Sequence, residues 1–414
     1  MRAPDVASAQ GGARAGLTSA LVALIVGQIG LHSCMAGLRM AAPLQALRQG
    51  HSEWAVGLLL GLFAAAPIVL ALLAGRLADR HGYHRPMRIA VALTMAGGGV
   101  AVLSTWLGAA SFAMVCAAAS LVGAGANFGL IAIQRTASRT ATDGTDLKRV
   151  FSWLGLAPAL SNVLGPMLAG ALIDLGGFRS AFIALGLLPL LSLWWARRVP
   201  VEAPRPPVGA EPARNAWGLL KTPGLRRLLL VNWLISSSWD VHTFVVPILG
   251  HERGFSASAI GWVLGVFAAS VALVRLMIPG LAHRLRESAV LVGAMLCTAA
   301  VFVAYPFANA VWAMTACAIV LGVALGAVQP MIMSTLHQIT PPHRHGEALA
   351  LRSMTINTSS TAMPLVFGLA GVAIGAAALF WLMAAALVCG SVAARRVGLG
   401  GPGGPGVRPG EVRT

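Results

Sequence analysis

Charge is scarce in this chain. Charged side chains make up 10% of 414 residues, against about 25% in an ordinary soluble domain, and acids are the rarer sign, 13 Asp and Glu against 30 Lys and Arg. Lysine occurs only at Lys148 and Lys221, which with the high Ala and Arg content fits a GC-rich bacterial source. No soluble core of this length can bury so much apolar side chain on all sides. The shortage of charge therefore excludes an ordinary water-soluble fold and points to a lipid bilayer around most of the surface. Cysteine is sparse too. Cys34, Cys116, Cys297, Cys317 and Cys389 each lie inside an apolar run with no ligand-like spacing, so they read as buried small side chains rather than disulfides or metal ligands. No Gly-rich loop ends in Lys-Ser/Thr. The run Gly123-Ala124-Gly125-Ala126-Asn127-Phe128-Gly129 comes nearest, but it lies within an apolar stretch and fits close helix packing. The expectation is no cofactor, no metal and no ATP-driven engine. No cluster of catalytic side chains gathers at one depth, so no enzyme is expected either.

What is present is apolar length. Hydrophobic residues are 57% of the chain. Runs of roughly 20 of them, enough to cross a bilayer as helix, are bounded by charge or Gly/Pro clusters. They fall at 17–39, 54–75, 87–106, 109–134, 150–173 and 178–196, and again at 227–250, 257–279, 288–306, 309–336, 347–374 and 376–394. The first follows a tail bearing Arg2 and Arg14, and Leu31-His32-Ser33-Cys34 has the faint look of a lipoprotein cleavage box. The run is long enough to span and eleven more follow, so it reads as an uncleaved first span. The domain reading is an N-terminal tail at 1–16, a six-helix bundle at 17–196, a Pro- and Arg-rich linker at 197–226, a second bundle at 227–394 and a disordered tail at 395–414.

The net charge of +17 would suit nucleic acid if basic side chains shared a face with exposed aromatics, but they sit in the short gaps between apolar runs. No nucleic-acid partner is expected. Arg76, Arg80, Arg85, Arg88, Arg135, Arg139, Lys148, Arg149, the linker cluster, Arg284, Arg286, Arg344, Arg395 and Arg396 all fall on one side of the span pattern. The other side has little beyond Arg48, Arg179 and Arg253. That asymmetry predicts both termini and the linker in the cytoplasm, in a bacterial inner membrane, with an even number of spans.

The two sets of six repeat each other. A shift of 204 superposes Pro43 on Pro247, Gly57 on Gly261, Gly61 on Gly265, Phe63 on Phe267 and Arg80 on Arg284. A shift of 198 brings Pro166 to Pro364 and Gly170 to Gly368. Six spans per half keep the halves in the same orientation, the arrangement in which a solute site lies at the repeat interface.

After the second span stands Gly75-Arg76-Leu77-Ala78-Asp79-Arg80-His81-Gly82-Tyr83-His84-Arg85-Pro86. This resembles the Gly-x-Leu-Ala-Asp-Arg-x-Gly-Arg-Lys signature of the major facilitator superfamily, in its expected loop, and the resemblance covers essentially the whole chain. It implies an all-α integral membrane fold of twelve helices in two pseudo-symmetric bundles. It also implies a cytoplasmic gate built on Gly75, Asp79, Arg80, Gly82 and Arg85, in which Asp79 caps the start of span eleven. The bland alternative is that these charges only fix topology. Tyr83 and His84 depart from the usual Arg and Lys. In span five, Ser161-Asn162-Val163-Leu164-Gly165-Pro166-Met167-Leu168-Ala169-Gly170 is similar to the signature of the twelve-span drug/proton antiporters, with Gly165, Pro166 and Gly170 in register. Ordinary helix packing is the competing account. The antiporters' span-four Arg is missing, since no Arg or Lys lies between Arg88 and Arg135.

Ionisable and polar groups inside spans are costly and tend to face a path. Asp240 and His32 are the expected proton-coupling groups. A structural ion pair of Asp240 with Arg39 or Arg275 is the alternative, and for His32 a satisfied core residue. Arg39, His242, Arg275 and Arg352 are the expected substrate path; in the family that the chain resembles, spans one, four, seven and ten line the central cavity, which adds Gln28, Asn127, Asn232, Ser236, Gln329 and Ser334; Arg352 also suits helix-end snorkelling. The expected function is secondary active transport of a small organic solute, proton-coupled efflux by alternating access from a monomer. Uptake of an organic anion or metabolite by symport is the alternative, and a non-transporting membrane sensor the third reading.

Overall fold

The computed structural model describes residues 6–140, 150, 153–201, 216–281, 286–340 and 345–396. The middle of the linker and the tail from 397 lie outside the described residues. Within them the structure is helical throughout: α1 (Val6–Arg48), α2 (Glu53–His81), α3 (His84–Ser104), α4 (Ser111–Thr140), α5 (Leu156–Leu187) and α6 (Pro189–Ala196), then α7 (Pro223–Glu252), α8 (Ala257–Leu281), α9 (Glu287–Ala304), α10 (Val311–Gly326), α11 (Val328–Ile339), α12 (His345–Ile374) and α13 (Ala376–Arg395). Eight stretches of the described residues are long and apolar enough to cross a membrane. One of them, Leu156–Ala196, doubles back at Gly177, where φ is 76°. Both of its arms reach Gly37 of α1, which lies against the Gly165 carbonyl and the Leu185 side chain. With α2, α7 and α12, 29 to 30 residues each, the arrangement is consistent with twelve crossings.

Three differences from the sequence expectation have local causes. The helix of the first span begins at Val6, so residues 6–16 are helical and run into it; no proline interrupts them. Span ten is broken at Ala327, because Pro330 has no N–H to give the Gly326 carbonyl. Cys389 is exposed on the outer surface rather than buried, and all five cysteines are free thiols.

The repeat survives as backbone geometry. Gly50 (φ 81°) and Gly254 (φ 69°), 204 residues apart, end the first turn of each half. Gly177 (φ 76°) and Gly375 (φ 81°), 198 apart, end the fifth. Only glycine adopts such angles without strain. All four lie at the end of the molecule opposite the linker, called here the distal end. The outer surface there and at the linker end carries tryptophans with arginine partners, Arg179 4.2 Å above Trp106 and Arg198 3.9 Å above Trp195. Amphipathic aromatics of this kind favour membrane boundaries. Between these belts, Leu276, Leu369, Leu382 and Val392 are all more than half exposed.

The halves meet along two seams related by the repeat. In one, Gly57 and Gly61 of α2 press on Pro364, Leu365 and Thr361 of α12; in the other, Gly261 and Gly265 of α8 press on Pro166, Met167 and Val163 of α5. Gly57 also approaches Gly368, and Gly261 approaches Gly170. Without hydrophobic drive between helices in lipid, such close backbone approach is what holds them, and it needs residues with no side chain.

The distal ends of both seams carry an acid from one half against the other. Asp174, at the turn after the first arm of α5, accepts hydrogen bonds from the backbone N–H groups of Ala257 (3.1 Å) and Ser258 (2.7 Å), the open N-terminus of α8. Glu53, at the start of α2, lies against Gly371 near the end of α12. Burial would raise the Asp174 carboxyl, but hydrogen bonds from Ser258, Ala257 and Ser256 outweigh it and hold it below its usual 3.8. A depressed acid stabilises the seam above its ordinary value and loses that contribution as pH falls through the depressed one. Asp174→Ala should therefore weaken distal closure by about 1 kcal/mol, roughly fivefold in the closed-to-open ratio, between pH 5 and 8. The wild type should converge on the variant only in acid below 3.8. Labelling of a cysteine introduced beside the distal seam reads this ratio; equal labelling of the two proteins at neutral pH would remove Asp174 from the seam's energetics.

At the linker end the picture reverses. Gly75 has nothing within 4 Å of where a side chain would start. Arg80 and Arg85 are exposed, as are Ser353, Met354, Asn357 and Thr358 on α12. Gly82 (φ 67°) ends α2, its N–H bonded to the Ala78 carbonyl at 2.9 Å. The side chain of Asp79 and residues 341–344 lie outside the described residues, so its expected cap on span eleven does too. Tyr83 and His84, the departures from the family pattern, have structural work: Tyr83 is fully buried with Met87, Leu24 and Ala23, and His84 donates from Nε2 to the Val199 carbonyl at 3.0 Å. They tie the loop to the end of α6.

Candidate functional site

Between the halves, on the linker side of the distal seams, lies a cavity of about 280 Å³. Its wall brings together Arg39, Asn162, Asn232, Ser236, Trp239, Asp240, Arg275, Gln329, Arg352 and Ser360, with Ile235, Leu325, Val328, Ile332 and Ile356 between them. A narrower pocket of about 60 Å³ continues it toward the seams, sharing Arg39, Asn162 and Trp239 and adding Thr243, Phe267 and Pro166.

The helices that reach this cavity each carry an internal proline. A proline at position i has no N–H for the carbonyl at i−4, which is left to seek another partner. Pro43, Pro166, Pro247 and Pro364 lie inside α1, α5, α7 and α12, so the carbonyls concerned belong to Arg39, Asn162, Thr243 and Ser360. All four residues line one or both of these pockets. They form two repeat-related pairs, Arg39 with Thr243 and Asn162 with Ser360. The same prolines thus each leave one helical backbone acceptor without its usual N–H beside these pockets.

Asp240 is the only acid on this wall among the described residues. It is 4% exposed and accepts hydrogen bonds from Ser359 Oγ (2.7 Å) and Ser360 Oγ (3.4 Å) of α12; Ser359 Oγ also meets Ser237 Oγ at 3.1 Å. Arg39, reaching from α1 in the other half, is close enough to feel its charge. Arg275 and Arg352 stand together on the same wall, near enough to repel, and the Nε of each is buried without an acceptor. Asn232 Nδ2 is buried without one as well.

Of the residues singled out from the sequence, Arg39, Asn232, Ser236, Asp240, Arg275, Gln329 and Arg352 converge here. Arg352 lines the cavity rather than snorkelling to the linker end. Gln28, His32, Asn127 and His242 line neither pocket. Gln28 is buried with its Oε1 unpartnered. His242 is fully buried against Phe267, ring centroids 4.3 Å apart, and Tyr305, 5.7 Å, with both ring nitrogens unpartnered. Ser334 binds Glu287 Oε1 at 2.9 Å, outside the cavity. The span-five residues divide their work: Gly165 faces Gly37 and Ser33 of α1, while Pro166 and Gly170 form the seam with α8. The run Gly123–Gly129 packs tightly, Gly123 on Phe63, Gly125 on Thr94 and Ala90, and Gly129 on Leu31. Asn162, Trp239, Thr243, Ser359 and Ser360 were not singled out for the path; counting four residues back from each in-span proline finds three of these five.

Residues 12–239 and 228–411 each match the Major Facilitator Superfamily. The enterobactin exporter EntS of Salmonella choleraesuis (strain SC-B67) is 27% identical over 325 residues, 74% of each chain. That of Escherichia coli O1:K1 / APEC is 28% identical over 319 residues, again 74% of each. Among solved structures, a POT family transporter in complex with 5-aminolevulinic acid has a TM-score of 0.73 at 12% identity, covering 90% of this chain and 94% of that one. A bacterial homologue of the iron transporter ferroportin in the inward-facing state has a TM-score of 0.69 at 16%, covering 91% and 98%. At these identities the structures speak for the fold.

Proposed function

The chain belongs to the Major Facilitator Superfamily and is a multi-pass transport protein of the bacterial inner membrane, and from that premise we propose that it exports a small organic solute in exchange for protons. The observation that carries the reading is the polar cavity between repeat-related halves, lined by Asp240 and three arginines and bounded on one side only by Gly/Pro seams. Residues 17–196 and 227–394 act as the two bodies that rock about it. The excess of arginine on the linker side supports a cytoplasmic linker and termini. On that orientation the described state is open inward, and the gate of Gly75, Asp79, Arg80, Gly82 and Arg85 closes when the distal seams part. The export direction is supported by relatives that are named as exporters. The protein works as a monomer.

Inside-out membrane vesicles test this. Respiration acidifies their lumen, and an exporter then fills it. With enterobactin and a panel of toxic organic compounds as probes, at least one should accumulate only in vesicles carrying the protein, and a protonophore should abolish the accumulation. Protein-dependent, gradient-driven loss from the lumen would instead establish uptake by symport, the second reading. Unchanged accumulation with the protonophore would remove proton coupling.

A further inference from the structure

We propose that Arg275 and Arg352 form a clamp for the acidic group of a small organic anion, which sets the substrate class of the central cavity. The inference rests on the transport reading for placing this cavity on the solute path. The charges on the wall do not balance. Arg39, Arg275 and Arg352 face one acid, Asp240. Asp240 is already committed to the hydroxyls of Ser359 and Ser360 and to the field of Arg39. Arg275 on α8 and Arg352 on α12 are left with each other's repulsion and with buried Nε groups that lack an acceptor. A charged group with a donor buried and unpartnered is costly, and no acid on the wall among the described residues answers either arginine. A mobile anion does.

The chemistry of that anion follows from the wall. Guanidinium is a planar, permanently charged fork that matches the two oxygens of a carboxylate. Asn232 Nδ2 offers a further unpartnered donor. The same wall carries the apolar side chains Trp239, Ile235, Leu325 and Ile332. The cavity of about 280 Å³ lies at the lower edge of the range for small-molecule sites, roughly 300–1,000 Å³. An aromatic or aliphatic carboxylate fits these constraints, its acid on the arginines and its apolar body on the apolar lining. Two arginines around one carboxylate also explain why Asp240 can stay with its serines when solute is bound. Loading with anion removes the repulsion between α8 and α12, a reason for the loaded cavity to tolerate closure at the linker end.

The test uses the full chain in detergent, with benzoate and phenylacetate each compared with its own amide. Each acid should raise the melting temperature by about 2 °C or more at saturation, and its amide should not. Affinity for the acid should fall about 30-fold or more in Arg275→Gln and in Arg352→Gln, and stay unchanged in Arg179→Gln at the distal surface. Equal stabilisation by acid and amide, or none by either acid, overturns the clamp without needing a variant that folds. Retention of the acid's effect in both cavity variants overturns it as well. The same preparations, reconstituted, separate this idea from the transport reading. Acid-specific stabilisation with no flux of any probe keeps the clamp and removes transport; gradient-driven flux of ethidium with no acid-specific effect keeps transport and removes the clamp.

Discussion

Gly57→Leu combined with Gly261→Leu should leave each six-helix half folded and transport about 100-fold slower or worse. In the closed distal seam, the first side-chain carbon at Gly57 falls on the Pro364 carbonyl oxygen, and that at Gly261 on the Pro166 carbonyl oxygen. Both obstacles are backbone, so neither swings aside as a side-chain tip would. The next layer is equally rigid: Gly368 Cα would lie 3.1 Å from the new carbon at 57, and Gly170 Cα 3.5 Å from that at 261. Overpacking costs roughly 1–3 kcal/mol at each site, and every 1.4 kcal/mol is tenfold in the population of the closed seam. In the rocking motion proposed above, both seams close together, so the costs fall on the same step. Gly57→Ala and Gly261→Ala should give intermediate losses. Solute exchange in proteoliposomes, with a cysteine label at the distal end as the conformational readout, decides it: full exchange by the double variant would mean that these contacts do not form during transport.

Why those glycines were legible in the sequence, and much of the cavity was not, has a physical cause. Where two helix backbones must touch, the sequence has almost no freedom, and the requirement appears twice because the chain is a repeat. Gly57 matches Gly261 and Pro166 matches Pro364 in the sequence repeat, and these four residues build the two seams. The turns at Gly50, Gly177, Gly254 and Gly375 follow the same offsets. A helix in lipid, by contrast, is apolar on every face, so its pattern hides which side looks at the path. Gln28, His32, Asn127 and His242 are polar and lie in apolar spans, yet line neither pocket, while Trp239 and Thr243 look like ordinary span residues and do. Rare charge was the better guide: Arg39, Asp240, Arg275 and Arg352 could be picked from sequence because burying a charge in a membrane without purpose is expensive, and all four meet in one cavity. Tyr83 and His84 carried a different message. Read against a charged family pattern they look like losses, but one fills the core and the other holds the Val199 carbonyl.

The charge with most to reveal is Asp240, and Asp240→Asn should separate driven transport from exchange. Among the described residues Asp240 of α7 is the acid on the cavity wall, and Arg39 of α1, from the other half, is close enough to feel its charge. Its hydroxyl donors come from α12, so the acid is coupled to three helices and both halves. Gaining a proton cancels its attraction for Arg39 and frees one carboxyl oxygen from the serines, while the arginine's charge remains. Proton binding and solute binding are therefore coupled through the same electrostatic field, so each shifts the affinity for the other. Asparagine keeps the volume and an acceptor for Ser359 but holds the site permanently in its uncharged form. Uptake of the transported probe into acid-lumen vesicles should then drop to the level of membranes without the protein, while exchange at equal pH on both sides persists. It should also become independent of pH, because the titrating group is gone. Driven uptake that survives in Asp240→Asn would place the coupling proton elsewhere, and loss of both driven uptake and exchange would make Asp240 a solute ligand or a structural partner of Arg39 instead of a proton carrier.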